Sequence, residues 1–507
     1  MNVRINVQIK RFYLSEEDKI INNSVNKIME LFNIKPAEKS IDSVQNLPED
    51  SVLVENIIKI TTEVKVVTTL FFKNVENGVS SFSRENSAKL SSDNSAVISR
   101  LVKLNILNAM KSLTNYNPSS WGILRGIRPT KVVHRMMDAG LDCEETVNSL
   151  KTDYGIERSK AELITDIALR QRPFLLPSDQ AKNTVSVYVG IPFCPTKCLY
   201  CSFPSYILPG PEKATWFLGA LAKEIKAIQY IIKKLNLKVQ TVYVGGGTPT
   251  SLNSSQFEEM LTYVKNALIS SEVCEFTVEA GRPDSLDDDK IAVMRRLGVT
   301  RVSVNPQTMQ EKTLKLIGRM HTARDIINLF EKIRQAGIPI INMDVIVGLP
   351  GENQSMIADT MRKISELQPD NLTIHTLAIK RGSLLKTNIM EHELPNEEVT
   401  QEMLSIATDF AFKMKMVPYY LYRQKYMSGN LENVGYSRPG AECLYNIQIM
   451  EERQTILGIG PAATTKIVNT NDWSLESFFN AKDLTTYVSK LDDCINTRFK
   501  LLERAFV

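Results

Sequence analysis

The chain has 507 residues, of which 61 are basic and 57 acidic, so its formal net charge at pH 7 is only +4. This balance excludes a protein that binds nucleic acid through overall positive charge, although a local basic patch can still bind an anionic substrate. Apolar residues make up 43% and charged residues 23%, as is ordinary for a globular protein with a large core. The length favours roughly three domains, or one large domain with additions.

The sequence predicts no export signal, no membrane partner and no disulfide framework. The opening stretch MNVRINVQIKRFYLSEEDKI alternates apolar and polar residues and then becomes charged, which is typical of a strand rather than a signal peptide. No run approaches the ~18 apolar residues of a transmembrane helix. Seven cysteines in 507 residues are too few for a disulfide scaffold. We therefore expect a cytoplasmic protein with reduced thiols, in which Cys143, Cys274, Cys443 and Cys494 are buried and inert.

Two regions are predicted before the main domain. Residues 1–95 are predicted to form an N-terminal α+β unit, with a helix over EEDKIINNSVNKIMELF and paired strands over SVLVENIIKI and KVVTTLFFK. Residues 76–98 are rich in Ser, Asn and Gly, which predicts a loop or linker. Helices are predicted over 96–172, interrupted by WGILRGIRPTK at 121–131, so that 96–180 forms a helical connecting region.

From residue 184 onward, six apolar strands alternate with amphipathic helices. The strands are VSVYVGI, VQTVYVG, CEFTVEA, TRVSVN, PIINMDVIVG and DNLTIHTL. Apolar strands in alternation with helices predict a parallel sheet covered by helices. Six such units fit a partial (β/α)6 barrel over 181–380, and its functional groups should lie in the loops that follow the strands. Residues 381–507 are predicted to be a mostly helical C-terminal region that completes a substrate pocket.

Three cysteines follow the first barrel strand with the spacing C-x3-C-x2-C: Cys194, Cys198 and Cys201. A structural zinc site generally needs four protein ligands, and none of the four histidines is close in sequence. A 4Fe–4S cluster held by three thiolates leaves one iron without a protein ligand, and that iron can bind a small molecule. The motif therefore favours such a cluster, with a zinc site or a chance grouping as the alternative.

Polar residues follow the next barrel strands as well. The segment GGGTPT, Gly245–Thr250, allows close approach of a ligand to the backbone, or else is a plain tight turn. Glu279 ends the third strand, where it would accept hydrogen bonds from a ligand or be an ordinary solvated acid. Gln307, Arg319 and Asp344 occupy similar positions. Asp344 is the most informative, because a carboxylate within the apolar run INMDVIVGLPGE needs a partner.

Taken together, these segments resemble the radical S-adenosylmethionine (SAM) oxygen-independent coproporphyrinogen III oxidases, also called coproporphyrinogen dehydrogenases. The resemblance covers about residues 185–468 and rests on YVGIPFCPTKCLYCSF, GGGTPT, VEA, NPQTM…LIGRMH, MDVIVGLPGE and ILGIGPAA. The long N-terminal region and GNLENVGYSRPGAECLYN at 429–446 are similar to the long-chain branch of anaerobic and Gram-positive bacteria. The resemblance implies an α/β radical SAM barrel that holds a 4Fe–4S cluster on the three cysteines.

The resemblance also implies a reaction and its partners. In this family two propionates of coproporphyrinogen III are oxidatively decarboxylated to vinyl groups, giving protoporphyrinogen IX. The radical arises at the cluster-bound SAM, so no side chain is assigned as catalytic, and a low-potential donor such as flavodoxin or ferredoxin would supply the electron. The residues implied to contact the cluster-bound SAM are Tyr188, Gly246, Glu279, Ala378 and Thr464. Those implied to contact a second SAM are Tyr200, Gly247, Thr248, Gln307, Arg319 and Asp344.

Two departures from the family pattern keep other functions open. Phe203 stands where the best-known bacterial enzyme has a fourth cysteine that does not bind the cluster, and related haem chaperones also carry Phe there. The haem-binding segment of those chaperones, HNxxYW, is missing, and ECLYNIQ occupies the corresponding region. A haem-binding chaperone and a radical SAM enzyme with another substrate are therefore the alternatives.

The substrate side of the site is less specific in the sequence. Arg381, Arg423 and Arg438 are candidates to bind the substrate carboxylates, or else are ordinary structural or surface cations. The tyrosines of PYYLYRQKY, which are Tyr419, Tyr420, Tyr422 and Tyr426, would line a tetrapyrrole pocket or belong to the core. We interpret His375 as a satisfied core histidine.

Overall fold

The computed structural model describes residues 9–14, 18–37, 41, 43–74, 78–425 and 427–506. The chain divides into two compact units, Met1–Thr165 and Asp166–Val507. The strand predicted over MNVRINVQI lies almost entirely outside the described residues. Within the described ranges, no helix is both long enough and apolar enough to cross a membrane.

The first unit is a five-stranded sheet with helices packed on one face. Its strands are β1 (Arg11–Leu14), β2 (Lys35–Pro36), β3 (Ser51–Ile60), β4 (Glu63–Asn74) and β5 (Gly78–Lys89), in the order β2-β1-β3-β4-β5. Its helices are α1 (Lys19–Met29), α2 (Asn94–Thr114), α3 (Thr130–Asp138) and α4 (Cys143–Tyr154), and α5 (Arg158–Gln171) continues into the second unit. The helices predicted over 96–172 are thus present, with the predicted interruption between α2 and α3.

The prediction of a loop over residues 76–98 is wrong for most of that segment, because residues 78–89 form β5. This strand pairs with β4 along its whole length, from Glu63 opposite Lys89 to Asn74 opposite Gly78. As an edge strand with largely exposed faces, β5 needs no apolar alternation, so its Ser- and Asn-rich composition gave no strand signal. The predicted boundary at residue 95 falls inside the first unit, because Leu101 and Ile106 of α2 share one core with Phe12 and Val66.

The second unit contains the remaining strands and helices. The strands are β6 (Thr184–Ile191), β7 (Phe193–Cys194), β8 (Tyr206–Ile207), β9 (Lys238–Gly246), β10 (Glu275–Glu279), β11 (Arg301–Ser303), β12 (Ile340–Val347), β13 (Asn371–Thr376), β14 (Val417–Tyr422), β15 (Asn433–Ser437), β16 (Thr455–Ile459), β17 (Thr464–Val468) and β18 (Leu475–Phe479). The helices are α6 (Ser178–Ala181), α7 (Pro211–Lys234), α8 (Ser254–Leu268), α9 (Asp288–Arg296), α10 (Glu311–Leu316), α11 (Ala323–Gln335), α12 (Gln354–Leu367), α13 (Leu384–Thr387), α14 (Glu397–Lys413), α15 (Leu444–Glu451), α16 (Leu484–Ser489) and α17 (Leu491–Phe506).

The large sheet has 11 strands in the order β14-β15-β13-β12-β11-β10-β9-β6-β16-β17-β18. The six strands β6 and β9–β13 are mutually parallel, which confirms the predicted partial (β/α)6 barrel. The C-terminal region contains helices, as predicted, but it also adds strands at both edges. At one edge β16 runs parallel to β6 and is followed by antiparallel β17 and β18. At the other edge β15 and β14 are antiparallel additions to β13.

The parallel strands are largely buried on both faces, which explains their mostly apolar sequence. In β6, for example, Val187 and its neighbour Ser186 point to opposite faces, and both are fully buried. Parallel strands place their carboxyl ends at one edge of the sheet. The cysteine loop after β6, the glycines after β9 and Glu279 at the end of β10 therefore meet at the same rim.

Candidate functional site

The three cysteines lie on one loop, between β6 and α7. The short strands β7 and β8 pair and close this loop at its base, with Cys194 opposite Ile207. Its middle is held by backbone hydrogen bonds, from the Leu199 amide to the Ile317 carbonyl at 3.1 Å and from the Leu385 amide to the Leu199 carbonyl at 2.8 Å. The loop is therefore fixed at its base and at its middle by the folded barrel.

The three thiols of this loop are available as ligands. Cys194, Cys198 and Cys201 are free and partly exposed. Burial raises the pKa of the Cys194 and Cys201 thiols, and the nearby Cys198 adds to both increases. Among the described residues, no three His, Cys, Asp or Glu side chains converge on one metal ion. A 4Fe–4S cluster takes each thiolate on a different iron. Three free thiols on one fixed loop are the donor set for three of its irons.

Glu279 is the centre of the polar groups on the neighbouring strands. The Tyr243 hydroxyl donates to Glu279 Oε1 at 2.6 Å, and the Gly246 amide donates to Oε2 at 3.2 Å. Burial raises the pKa of Glu279 to about 7, against the lowering effect of these hydrogen bonds. A Cβ built on Gly246 would lie 3.1 Å from the Tyr188 hydroxyl. The structure thus brings together Tyr188, Gly246 and Glu279, three of the five residues predicted to contact the cluster-bound SAM.

The glycine segment after β9 is attached directly to the cysteine loop. The Gly247 amide donates to the Ile191 carbonyl at 2.7 Å, and the Thr248 amide donates to the Phe193 carbonyl at 2.6 Å. The Thr248 hydroxyl lies 3.5 Å from Cys194 Sγ. A Cβ built on Gly247 would lie only 2.5 Å from the Phe193 carbonyl oxygen, so no larger residue fits without moving the loop.

Arg319 joins the loops after β10 and β11 to the cysteine loop. Its Nη1 donates to the Gly281 carbonyl at 3.1 Å and to the Asn305 carbonyl at 2.6 Å, and its Nη2 donates to the Tyr200 hydroxyl at 3.4 Å. Arg319 is 5% exposed, and its Nε has no partner within the described chain. Burial raises the pKa of the Tyr200 phenol, while the charge of Arg319 opposes the increase. The guanidinium is therefore built into the site with one donor unused.

Gln307 has two features that are uncommon for a structural residue. Its backbone is left-handed, with φ of 64°, although it is not glycine. Its side chain is 7% exposed, and the amide oxygen has no partner in the described part of the chain. Buried polar atoms are nearly always hydrogen-bonded, and backbone strain concentrates at ligand sites. Gln307 is therefore a good candidate for a ligand contact, as predicted from its place after the fourth barrel strand.

Asp344 has the partner that its place in an apolar strand required. The Asn342 amide donates to Oδ1 at 2.8 Å, and His375 Nε2 lies 3.7 Å from Oδ2. Burial acts to raise the pKa of Asp344, but hydrogen bonds and charge from His375 and a hydrogen bond from Asn342 hold it below its ordinary value. The Tyr422 hydroxyl lies 3.0 Å from His375 Nδ1. His375 is thus satisfied, as interpreted from the sequence, but it is a polar link between Asp344 and Tyr422.

A cavity of ≈ 430 Å³ opens beside the cysteine loop, which is within the size range of small-molecule sites. Its lining includes side chains from the cysteine loop and from the ends of the later barrel strands: Tyr200, Cys201, Gln307, His375, Ala378 and Lys380. It brings Ala378, assigned by resemblance to the cluster-bound SAM, together with Tyr200 and Gln307, assigned to a second SAM. Sequence reasoning missed Lys380; its position just after β13, the last barrel strand, was the available signal. Burial lowers the pKa of Lys380, with Cys201 acting in the opposite direction.

The comparisons with known proteins identify the family. Residues 188–364 match the family model described as Radical SAM superfamily. Over 410 residues, 80% of this chain and 80% of the relative, the chain is 40% identical to the oxygen-independent coproporphyrinogen-III oxidase-like protein HemZ of Bacillus subtilis (strain 168). The chain belongs to this family of radical SAM proteins. It is also 32% identical over 225 residues to the heme chaperone HemW of the same organism, covering 44% of this chain and 58% of HemW.

One solved structure is similar to part of this chain. It is described as "Coproporphyrinogen III oxidase (HemN) from Escherichia coli is a Radical SAM enzyme", with 22% identity, a TM-score of 0.48, and coverage of 64% of this chain and 72% of that one. Membership of the radical SAM superfamily carries a 4Fe–4S cluster and SAM as cofactors. The cysteine loop, the backbone segment around Gly247 and the buried groups at the same rim provide the types of contact that these cofactors need.

The remaining residue predicted to contact SAM, Thr464, begins β17 and follows the loop GIGPAA. Gly460 in this loop has φ of 95°, and a Cβ there would lie 2.3 Å from the Gly190 carbonyl oxygen. The Gly460 amide donates to the fully buried Glu224 at 2.8 Å, and the same carboxylate pairs with Arg498 at 2.8 Å. Tyr487 and Asn480 also donate to Glu224. This buried network fixes the loop before Thr464 against β6.

The three arginines proposed to bind substrate carboxylates do not line the cavity. Arg423 is 4% exposed and donates to the backbone carbonyl and side-chain oxygen of Asn430 at 2.8 and 2.7 Å, so it holds its own loop. Arg438 donates to Gln368 at 2.6 Å. Arg381 is exposed, next to Lys380. Among the described residues that line the cavity, Lys380 is the cation.

The predicted tyrosines divide between core and rim. Tyr419 and Tyr420 are buried in a cluster of apolar and aromatic residues, which favours their core role. Tyr422 packs against the same cluster and also contacts His375. Tyr426 lies outside the described residues.

Proposed function

We propose that this protein catalyses the oxidative decarboxylation of two propionates of coproporphyrinogen III, giving protoporphyrinogen IX, in anaerobic haem biosynthesis. Each propionate would lose a hydrogen atom from its β-carbon, carbon dioxide, and one electron to an acceptor, leaving a vinyl group. The observation that carries the proposal is the 40% identity over 80% of the chain to a relative named as an oxygen-independent coproporphyrinogen-III oxidase-like protein.

The site supports this chemistry in the roles its residues can take. Cys194, Cys198 and Cys201 would hold the cluster. When bound, the cluster supplies the electron that cleaves SAM to a 5′-deoxyadenosyl radical. Glu279, half-buried among Tyr188, Tyr243 and Gly246, would accept hydrogen bonds from one end of SAM. The buried and unpartnered amide oxygen of Gln307 would accept another from a ligand in the cavity.

Lys380 and its neighbours support a substrate that carries carboxylates. An ammonium group in the wall of a partly closed cavity attracts an anion more strongly than one in open water. Lys380 shares that wall with Cys201, so a propionate bound by Lys380 would lie beside the cluster loop. The link from Asp344 through His375 to Tyr422 provides polar groups on the opposite strands of the same rim.

The haem chaperone is the second candidate, because the chain is similar to HemW proteins as well. The structure of the region ECLYNIQ speaks against it. Cys443 is 2% and Tyr445 is 7% exposed. The amides of Leu444 and Tyr445 donate to Glu275, the first residue of β10, at 2.9 and 3.2 Å. This segment is therefore held at the first residue of β10, and its Cys443 and Tyr445 side chains are not accessible to haem.

The partners follow from the same proposal. The cluster needs a reductant, for which a low-potential protein such as flavodoxin or ferredoxin is the natural choice. All seven cysteines are free. Outside the cysteine loop, Cys443 is buried as predicted, but Cys143 and Cys274 are exposed, so the prediction that these two are buried is wrong.

The decisive experiment is an anaerobic turnover with the reconstituted cluster, SAM, a reductant and coproporphyrinogen III. Chromatography would quantify protoporphyrinogen IX and 5′-deoxyadenosine, with Cys198→Ala as the inactive variant and Cys274→Ala, an exposed cysteine on another loop, as its matched control. Both products, lost only in Cys198→Ala, are expected. Deoxyadenosine without a porphyrin product would assign the radical chemistry to another substrate. Neither product from a protein with an intact cluster, together with stoichiometric binding in a haem titration, would favour the chaperone.

A further inference from the structure

A second buried arginine, Arg282, lies against the cysteine loop, and the family resemblance gives it no role. It follows β10 in the segment VEAGRPD and is 3% exposed. Its Nη1 donates to the Thr196 carbonyl at 3.1 Å and to the Thr196 hydroxyl at 2.9 Å. The same nitrogen lies 4.0 Å from Cys198 Sγ. A full positive charge is therefore fixed between the first and second cysteines of the motif.

The arginine has a single carboxylate partner. Arg282 donates to both oxygens of Asp284, from Nε at 3.0 Å and from Nη2 at 2.8 Å. This two-point contact fixes the plane of the guanidinium and leaves Nη1 directed at the loop. The Asp284 side chain is 22% exposed, whereas that of Arg282 is 4% exposed, so water screens the negative charge better than the positive one. Thus the pair presents a net positive field to Cys198.

Other charged groups near Cys198 do not replace this effect. Arg319 also contacts this thiol, but it donates to Tyr200 and is implied to bind SAM, so a ligand shares its charge. His321 is 5% exposed, and burial lowers its pKa to about 4, so it is neutral at physiological pH. Among the described residues that contact Cys198, Arg282 is therefore the buried cation that is held by protein groups alone.

We propose that Arg282, with Asp284 as its counter-charge, sets the reduction potential of the cluster. Reduction adds one electron to a unit that already carries three thiolates, changing [4Fe–4S]²⁺ to [4Fe–4S]⁺. A nearby positive charge stabilises the reduced form, and hydrogen bonds and charge around the sulfurs are known determinants of cluster potential. Arg282 therefore raises the potential and Asp284 moderates the increase. The pair acts on the transfer of the electron to the cluster, through the cluster's reduction potential, and does not contact the substrate.

The test is a redox titration of the reconstituted protein without SAM, in which dithionite supplies the electron and the EPR signal of the reduced cluster is measured against potential. We expect Arg282→Gln to lower the equilibrium constant for reduction at least about tenfold, equivalent to 59 mV for a one-electron couple. Asp284→Asn should change the potential in the opposite direction, because it leaves the arginine charge uncompensated. Arg282→Lys should recover more than half of the loss.

The matched control is Arg296→Gln, an exposed arginine of α9 that pairs with Glu258, and it should leave the potential unchanged. If the two residues had only a structural role, Arg282→Gln and Asp284→Asn would both lower cluster occupancy, and their reduction potentials would not change in opposite directions. The proposal would be overturned if Arg282→Gln and Asp284→Asn changed the reduction potential in the same direction, or by no more than Arg296→Gln does. If Arg282→Gln binds fewer than four irons, the test depends on Asp284→Asn alone: a higher reduction potential than wild type supports the proposal, and an unchanged or lower one overturns it. The proposal requires the cluster but no particular substrate, so failure to turn over coproporphyrinogen leaves it standing.

Discussion

Replacing Glu279 with glutamine should change the pH dependence of stability in a calculable way. The pKa of this carboxyl is about 7 in the folded protein, against an ordinary value of 4.5. As pH rises, the unfolded chain loses this proton first, so ionisation favours unfolding and the free energy of unfolding falls between about pH 4.5 and pH 7. For these two pKa values, Glu279 lowers that free energy by about 2.5 kcal/mol on going from pH 5 to pH 8. Glu279→Gln removes the ionisation and keeps an oxygen that accepts from Tyr243.

The assay is urea unfolding of the cluster-free and SAM-free chain at pH 5 and pH 8, followed by intrinsic fluorescence. The wild-type protein and Glu279→Gln should have similar stability at pH 5, and the variant should be about 2–3 kcal/mol more stable at pH 8. Glu259→Gln, at an exposed position of α8, is the control, and its difference from wild type should not depend on pH. The reasoning would be refuted if the difference in free energy of unfolding between wild type and Glu279→Gln were the same at both pH values. The expected result would mean that the protein keeps a carboxylate that lowers its stability, as is common for residues of functional sites.

Three further predictions concern the rest of the site. Gly247→Ala should weaken SAM binding at least about tenfold in equilibrium dialysis, because the new Cβ would collide with the Phe193 carbonyl oxygen; unchanged affinity would show that the loop adapts. Glu224→Gln should lower the free energy of unfolding by about 3–5 kcal/mol in urea titrations, because Arg498 would lose its buried counter-charge, and a loss under 1 kcal/mol would contradict the assigned pairing. Lys380→Met should raise the KM for coproporphyrinogen III about tenfold and leave the Kd for SAM unchanged, whereas an equal loss of SAM affinity would place this lysine on the cofactor instead.

The barrel and its rim were predictable because their signals are local. Most of the parallel strands are buried on both faces and so are rich in apolar residues, and the functional loops follow their strands directly in sequence. The cysteine spacing, the glycine segment and Asp344 in an apolar strand each indicate chemistry without any knowledge of distant contacts. The structure brings Tyr188, Gly246 and Glu279 together at the rim as this local logic requires.

The other elements depend on partners that are far away in sequence. The edge strand β5 has no apolar face, and β15 and β16 are five residues each and contain glycine, so none has a strand signature of its own. Arg282 and Lys380 look like ordinary surface cations in the sequence. Their significance comes from their surroundings in the fold: Arg282 is buried next to Cys198, and Lys380 lies in the wall of the cavity.

The position of β6 between β9 and β16 has a consequence for how the protein is made. One side of β6 pairs with β9 soon after it is synthesised, but the other side pairs with Thr455–Ile459, more than 260 residues further along the chain. At about 5–20 residues per second, the ribosome needs roughly 15–50 s to produce that partner. During this time the strand that carries the cysteine loop has an open edge, which invites pairing with other chains. We therefore expect stable cluster insertion to follow synthesis of β16, and overexpression at high temperature to yield aggregated, iron-free protein.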